Sequence, residues 1–415
     1  MALGPGGSPW RAPATSKLPK VSGRGRRLLE RRRALMVAVP HGGRLVQIDS
    51  ISPAAELLKE AGETPSLVVS DDTASTVFNI ANGILSPLVG FMARADCQSV
   101  LDTMRLADDT PWTIPTLLHI PESLKVAAGD ELTLVGTDGG PVGSIEVEEL
   151  YSVPRKEYSQ KVFGTEDPAH PGVAKVLAFP ERVAGGRVKR VVARSRKFDE
   201  VALSPKETRV LFTEKKWEDV ISFQTRNAPH IGHEYVQKMA LLGADGLFIN
   251  PVLGTKKPGD FKDDVIVETY KELIKHYYPA GSAMMSVLHY EMQYAGPKEA
   301  IMHAIMRKNF GCDKIAIGRD HAGVGNFYGP YAAQEIFKEF PDLGIEAVPM
   351  REFYYCKKCR GIANDRICPH PQADRLSFSG TMLRKMFQEG KAPPAEFMRP
   401  EVSRVILENS APFVE

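Results

Sequence analysis

Ten consecutive residues, QTRNAPHIGH from Gln224 to His233, bring together two histidines, an arginine and three amide or hydroxyl side chains. Arg226 carries a planar fork that can grip an oxyanion through two parallel N–H bonds. His230 and His233 stand three residues apart, so a helix starting here turns both rings toward one ligand. Gly232 between them lets the backbone approach closely. These residues suit the gripping of phosphate or sulfate groups; none is an obvious activated nucleophile. Taken alone, H-x-G-H fits histidines satisfied inside an ordinary loop. With Arg226 and Asn227 in the same loop, just after a strand, an anion site is the stronger reading.

A second loop, GRDHAGVGNFYGP from Gly318 to Pro330, adds Arg319, Asp320 and His321, with Gly323 and Gly325 for close backbone approach. The bland alternative is a flexible glycine-rich turn. A third stretch, SGTMLRKMF from Ser379, offers Ser379 and Thr381 as helix caps, with Arg384 and Lys385 able to close over phosphates. An ordinary capped amphipathic helix reads it equally well. CKKCRGIANDRICPH has the spacing C-x2-C-x8-C-x-H. Cys356, Cys359, Cys368 and His370 would make a closed, structural zinc site, with Asp374 as the alternative fourth ligand. Cys97 and Cys312 stand apart and read as small buried residues. No G-x4-G-K-[S/T] stretch occurs, which removes a P-loop kinase domain.

The elements that would position these groups alternate. Strands are expected at 220–223, 246–253, 283–288, 314–318 and 345–350, and helices at 233–242, 262–278, 297–310 and 330–340. Such alternation implies a doubly wound α/β domain with a parallel sheet, in which ligands bind beyond the carboxyl ends of the strands. In a sheet ordered 3-2-1-4-5, the first and fourth strands are neighbours, and the Gln224 and Gly318 loops meet over one crevice. A helix beginning there also presents free N–H groups to anions. Upstream, short apolar runs such as ELTLVG and VGSIEVEELY flank the turn former TDGGP and read as β-rich structure. The expected divisions are 1–35, a basic disordered extension; 36–203, a β-rich domain; 204–350, the α/β domain; and 351–415, a small domain with the cysteine loop.

The 415 residues are 25% charged, with a net charge of +2. No run is long and apolar enough to span a membrane. The nine bases Arg11, Lys17, Lys20, Arg24, Arg26, Arg27, Arg31, Arg32 and Arg33 face one acid, Glu30, in the first 35 residues. The body after them is net acidic, which gives no case for nucleic acid. Five cysteines, three of them clustered, point to a reducing, cytoplasmic setting. The head reads as a tail, a targeting segment or sequence ahead of a later start at Met36.

With these residues in hand, the chain resembles the ATP sulfurylase (sulfate adenylyltransferase) family of the bacterial and archaeal type without a kinase-like extension. The resemblance rests on QTRNAPHIGH, GRDHAG and SGTMLR in that order, and on ANGILSPLVGFM (81–92) and GTEDPAHPGVA (164–174) upstream. Ala228 stands where the shortest form of the first motif has proline directly after asparagine. The resemblance implies a PUA-like β-rich domain, a Rossmann-like HxGH nucleotidyltransferase domain and a small carboxyl domain. It implies ATP and sulfate giving adenosine 5′-phosphosulfate and pyrophosphate, with Mg2+ accompanying ATP, and a homodimer. Gln224, Arg226 and the Ala322 N–H would bind sulfate. Thr225 and Asn227 would orient the α-phosphate, and His230 and His233 would contact the β- and γ-phosphates. Gly318, Arg319, Asp320 and His321 would hold the nucleotide, with Phe353 bordering adenine. The rival is another HxGH enzyme such as a class I aminoacyl-tRNA synthetase; the acidic body and the lack of a KMSKS segment weigh against it. A non-catalytic PUA-type RNA-binding protein would need broken phosphate contacts, and these residues are intact.

Overall fold

The computed structural model describes residues 38–49, 53–60, 62, 64–192, 197–377 and 380–415. The basic extension expected at 1–35 lies outside the described residues, as does Ser379 and the side chain of Thr381. In the amino-terminal half, β1 (Ser66–Val69), β2 (Gly90–Phe91), β3 (Glu131–Gly136), β4 (Pro141–Ser152) and β5 (Arg182–Val191) form one sheet ordered β1-β3-β4-β5-β2. β1 runs parallel to β3 and the other pairings are antiparallel. The TDGGP turn joins β3 to β4 as expected: Gly139 takes φ +79°, and Asp138 Oδ1 accepts the Gly140 N–H at 3.0 Å. Helices α1 (Asp71–Ala81) and α2 (Pro171–Ala178) accompany this sheet.

A turn further along, α3 (Pro205–Glu214) opens with a full capping box between Ser204 and Glu207. β6 (Val220–Thr225), β7 (Gly246–Leu253), β8 (Ala283–Met285), β10 (Lys314–Ile317) and β11 (Glu346–Pro349) then form a parallel sheet ordered β11-β10-β6-β7-β8. In order of appearance this is 3-2-1-4-5, so β6 and β10 are neighbours. β7 is buried at all eight positions, as a parallel strand covered on both faces must be. The strand expected at 283–288 divides: β9 (Leu288–His289) pairs separately with β7. The break falls at Val287, whose N–H turns to the Val201 carbonyl, while the Ser286 N–H still reaches Ile249 of β7 and its Oγ accepts the Leu203 N–H.

Helix α4 (Ile231–Leu241) follows β6 and α5 (Asp263–Tyr277) follows β7. α6 (Pro297–Phe310) is buried along its length from Glu299 to Phe310. It lies at the centre because Ile301, Ile305 and Phe310 share one apolar cluster with Val77, Trp112 and Ile120 of the amino-terminal half. Asn309 fastens the same junction, donating to the carbonyls of Ile84 and Ser86 and accepting from the His41 amide. The helix expected over 330–340 is instead one α turn, Ala332–Glu335, then a 3-10 turn, Ile336–Glu339. Pro341 keeps Phe340 out of the helical region, so the preceding turn tightens.

At the carboxyl end, β12 (Tyr354–Cys356), β13 (Gly361–Ala363) and β14 (Arg375–Ser377) make a small antiparallel sheet. α7 (Gly380–Gln388) and α8 (Pro400–Glu408) follow, and α8 packs on α5. Among the described residues no helix is long and apolar enough to cross a membrane.

Candidate functional site

The Gln224–His233 segment runs off the carboxyl end of β6 into the first turn of α4. Thr225 Oγ1 donates to the Asn227 carbonyl and accepts its N–H, both at 3.2 Å, so its hydroxyl shapes the loop. Asn227 is exposed, while Ala228 is buried against Phe223 in the second apolar cluster. The residue that lengthens the motif is therefore a packing residue.

His230 and His233 form a reciprocal cap. The His233 N–H donates to His230 Nδ1 at 3.3 Å, and the His230 N–H donates to His233 Nδ1 at 3.4 Å. Their rings stack with centroids 3.8 Å apart. Because each Nδ1 accepts, each neutral ring carries its proton on Nε2. Desolvation holds His233 down at about 4 and His230, beside a second imidazole, well below its usual range. The pair therefore offers two neutral Nε2–H donors. The expectation of a freely exposed helix start needs correction: the Ile231 N–H goes to the Phe397 carbonyl and the His233 N–H to the cap.

Arg226 is held by Tyr294. Its Nη1 donates to Tyr294 Oη at 2.6 Å, its Nη2 lies 3.8 Å from Asp260 Oδ2, and its guanidinium carbon lies 5.2 Å from the Tyr294 ring centroid. Lys257 Nζ sits 4.5 Å from the same centroid. Gln224 makes one weak contact, Nε2 to Met292 Sδ at 3.8 Å, and its buried Oε1 has no protein partner among the described residues. Its Nε2, held only by that sulfur, is the donor an anion could take, whereas Oε1 could only accept a hydrogen bond.

The second loop leaves the neighbouring strand β10. Asp320 and Ala322 have φ of +52° and +58°, and the Ala322 carbonyl accepts the Gly296 N–H at 3.0 Å. The segment 290–296 therefore stitches the two loops together, touching Arg226 through Tyr294 and Ala322 through Gly296. Asp320 folds its carboxylate over Gly323, where a Cβ would fall 2.0 Å from Oδ1 and displace that side chain. Gly318 is fixed from behind by Gln334, whose Nε2 reaches the carbonyls of Ile317 and Met350. Arg319 is exposed and 3.8 Å from Glu352, and Phe353 meets Tyr235 of α4 edge-on at 5.2 Å. His321 Nε2 lies 3.0 Å from His303 Nδ1, and burial holds His321 down at about 3.

Several supporting residues escaped the sequence reading. Glu299, His303 and Arg307 are fully buried on α6 at intervals of four, one polar stripe along the helix. That spacing was visible and is the signal that could have found them. Burial pushes the Glu299 carboxyl up to about 7, although it accepts the Gln293 and Ala295 amides. Tyr294, Asp260 and Lys257 carry no such pattern; tertiary folding alone brings them to Arg226. Glu234, next to His233, is buried and paired with Arg399 through two 2.8 Å bonds and with Lys238 at 2.6 Å. Those contacts lock the carboxyl-terminal segment onto α4.

The three cysteines and His370 also converge. Their ligand atoms all lie within 4.8 Å of one another. Cys359 Sγ is 3.7 Å from Cys368 Sγ, and His370 Nδ1 is 3.3, 3.2 and 3.6 Å from the sulfurs of Cys356, Cys359 and Cys368. Tetrahedral zinc–ligand bonds would set these separations at roughly 3.6–3.8 Å, so the group fits a metal ion with little adjustment. Asp374 is turned away, its Oδ2 3.1 Å from Lys358 Nζ, which leaves His370 as the fourth ligand of the group. Arg384 and Lys385 lie on α7 as expected, beside the buried Leu383 and Phe387.

Residues 199–409 match the ATP-sulfurylase family and residues 38–193 match a PUA-like domain. A sulfate adenylyltransferase from Hyperthermus butylicus is 53% identical over 383 residues, covering 92% of this chain and 98% of that protein. One from Ignicoccus hospitalis is 51% identical, covering 91% of this chain and all of that protein. Among solved structures, a hexameric APS kinase from Thiobacillus denitrificans superposes with TM-score 0.68 at 22% identity, covering 90% of this chain and 68% of that one. That likeness speaks to fold alone.

Proposed function

The chain belongs to the ATP-sulfurylase family, and from that premise we propose how its residues carry the family reaction. It is a nucleotidyltransferase that moves the adenylyl group of ATP to sulfate, giving adenosine 5′-phosphosulfate and pyrophosphate. One sulfate oxygen attacks the α-phosphorus as the bond from that phosphorus to the bridging oxygen of the β-phosphate breaks. The electron pair leaves with pyrophosphate. Sulfate arrives ionised, so no general base is required. The demand is to hold two anions in line against their repulsion, by positioning and fixed dipoles.

Gln224, Arg226 and the Ala322 N–H take sulfate. The observation that carries this reading is the half-buried Arg226 beside the Gln224 Nε2–H2 donor, which only a sulfur at 3.8 Å engages, both at the carboxyl end of β6 next to β10. The Thr225–Asn227 turn faces the α-phosphate, and the Nε2–H groups of His230 and His233 donate to the β- and γ-phosphates and to departing pyrophosphate. Neutral donors suit that task, because they release pyrophosphate more readily than a cation would. Gly318 to His321 line the nucleotide site and Phe353 borders the adenine. Mg2+ enters with ATP and screens the phosphates. Zinc in the Cys356, Cys359, Cys368 and His370 group is structural, since four protein ligands leave no open position. The parallel sheet is the Rossmann-like HxGH nucleotidyltransferase core, divided from its neighbours near residues 203 and 350, and the working form is a homodimer in the cytoplasm.

Molybdate tests the reading directly. With ATP and molybdate the unstable mixed anhydride hydrolyses, so pyrophosphate and AMP accumulate continuously. Release with sulfate or molybdate is the expected result. Release that needs amino acids and tRNA instead would overturn it in favour of the synthetase alternative.

A further inference from the structure

We propose that Tyr294 is the positioning residue that aims Arg226 at the oxyanion, and that His170, from the amino-terminal half, holds Tyr294 in place. The inference rests on the assignment of Arg226 to sulfate. A flexible arginine loses rotamer freedom when it binds an anion, and a partner that fixes it beforehand removes part of that cost. Tyr294 does so through its hydroxyl, 2.6 Å from Nη1, and through its ring beneath the guanidinium. Lys257 on the same ring places a second cation beside the first, which the ring tolerates better than open apolar surface would.

Tyr294 itself is in a costly conformation. Its φ is +60°, in the left-handed region that a bulky side chain seldom adopts, so its surroundings must hold it there. Glu299 accepts the N–H groups on both sides, from Gln293 at 2.8 Å and Ala295 at 3.1 Å. The Tyr294 carbonyl lies 3.0 Å from His170 Nε2. His170 is fully buried, and its Nδ1 already accepts the Gly172 and Val173 amides at the start of α2. The proton is therefore on Nε2, which donates to the Tyr294 carbonyl, with Tyr328 Oη also 3.1 Å away.

The fit requires close approach of the two halves. A Cβ on Gly172 would lie 2.5 Å from the Gln293 carbonyl, so only glycine lets α2 come this near. The amino-terminal half thereby reaches the oxyanion site without touching substrate: His170 fixes the Tyr294 backbone, and the Tyr294 side chain fixes Arg226. This also gives a role to the 164–174 motif, which the proposed reaction does not otherwise use.

The test is a kinetic comparison of the full chain with Tyr294→Phe, His170→Ala, His170→Gln and Arg226→Ala, using pyrophosphate release. Tyr294→Phe should raise KM for sulfate and for molybdate about tenfold, equivalent to about 1.4 kcal/mol, while KM for ATP stays within about twofold. His170→Ala should act in the same direction, and His170→Gln, which keeps an N–H donor, should recover part of the loss. An Arg226→Lys background should abolish the Tyr294→Phe effect, because the two residues act as one unit. Equal losses toward ATP and sulfate, or an unchanged KM for sulfate, would overturn the proposal while Arg226→Ala still abolishes turnover. If Arg226→Ala turns over normally, the sulfate assignment itself fails.

Discussion

The stacked pair His230 and His233 gives a sharp expectation, because its protonation state follows from geometry. Each Nδ1 accepts a backbone N–H, so a second proton on either ring would break the cap as well as charge a desolvated imidazole. The depression of His233 from 6.5 to about 4 corresponds to about 3 kcal/mol in favour of the neutral form. His230 is depressed in the same direction by burial and by its neighbour. NMR of protein labelled on the histidine rings, with His230→Asn and His233→Asn as assignment controls, reads both values. The His233 resonance should titrate near 4 and that of His230 well below the 6.5 of an unperturbed imidazole. The linkage has a definite sign. The unfolded chain takes up a proton near 6.5 that the native His233 ring refuses until about 4, so this contribution to stability is complete above 6.5 and is lost as pH falls across that window. Turnover should show no histidine limb between about pH 6 and 8. A value at or above 6.5 for His233 would refute the reasoning, since an imidazolium cannot accept the His230 amide.

Arg226→Ala should cut kcat/KM for sulfate by roughly a hundredfold or more, the loss of two charge-assisted bonds, with a melting temperature close to the parent. Arg399→Ala leaves Glu234 buried with Lys238 as its remaining partner; unfolding free energy should fall by roughly 2 kcal/mol, measured by thermal or denaturant melts. Metal analysis should find about one zinc per chain, and Cys368→Ser or a strong chelator should release it and expose β12–β14 to proteolysis before the parallel sheet is affected. Retention of a full metal complement in Cys368→Ser would remove that thiol from the ligand set.

Much of the parallel sheet could be read from local chemistry. β7 announced itself as a continuous apolar run, α5 as a helical stripe, and α6 by Pro297 at its start and Gly311 at φ +102° past its end. The expectation failed where distant groups competed for the backbone. Val287 turned its N–H from the strand to Val201, and Pro341 shortened the helix before it. The sequence around 283–288 holds no information about the 201–203 segment, whereas Pro341 stands in plain view beside the helix it shortens.

The candidate site divides along the same line. The sequence by itself brought together the side chains proposed to grip the anions, because Gln224, Arg226, His230 and His233 sit within ten residues, and C-x2-C-x8-C-x-H gathers its own group able to hold a metal. Short separations along the chain become short distances with little help. Only the tertiary structure decided how those side chains are held. Tyr294 lies 68 residues from Arg226, His170 lies 124 from Tyr294 and Arg399 lies 165 from Glu234, and nothing around Tyr294 or Arg399 marks them in the sequence. They meet through a shared apolar core and one close glycine contact, and burial there makes each hydrogen bond costly to lose.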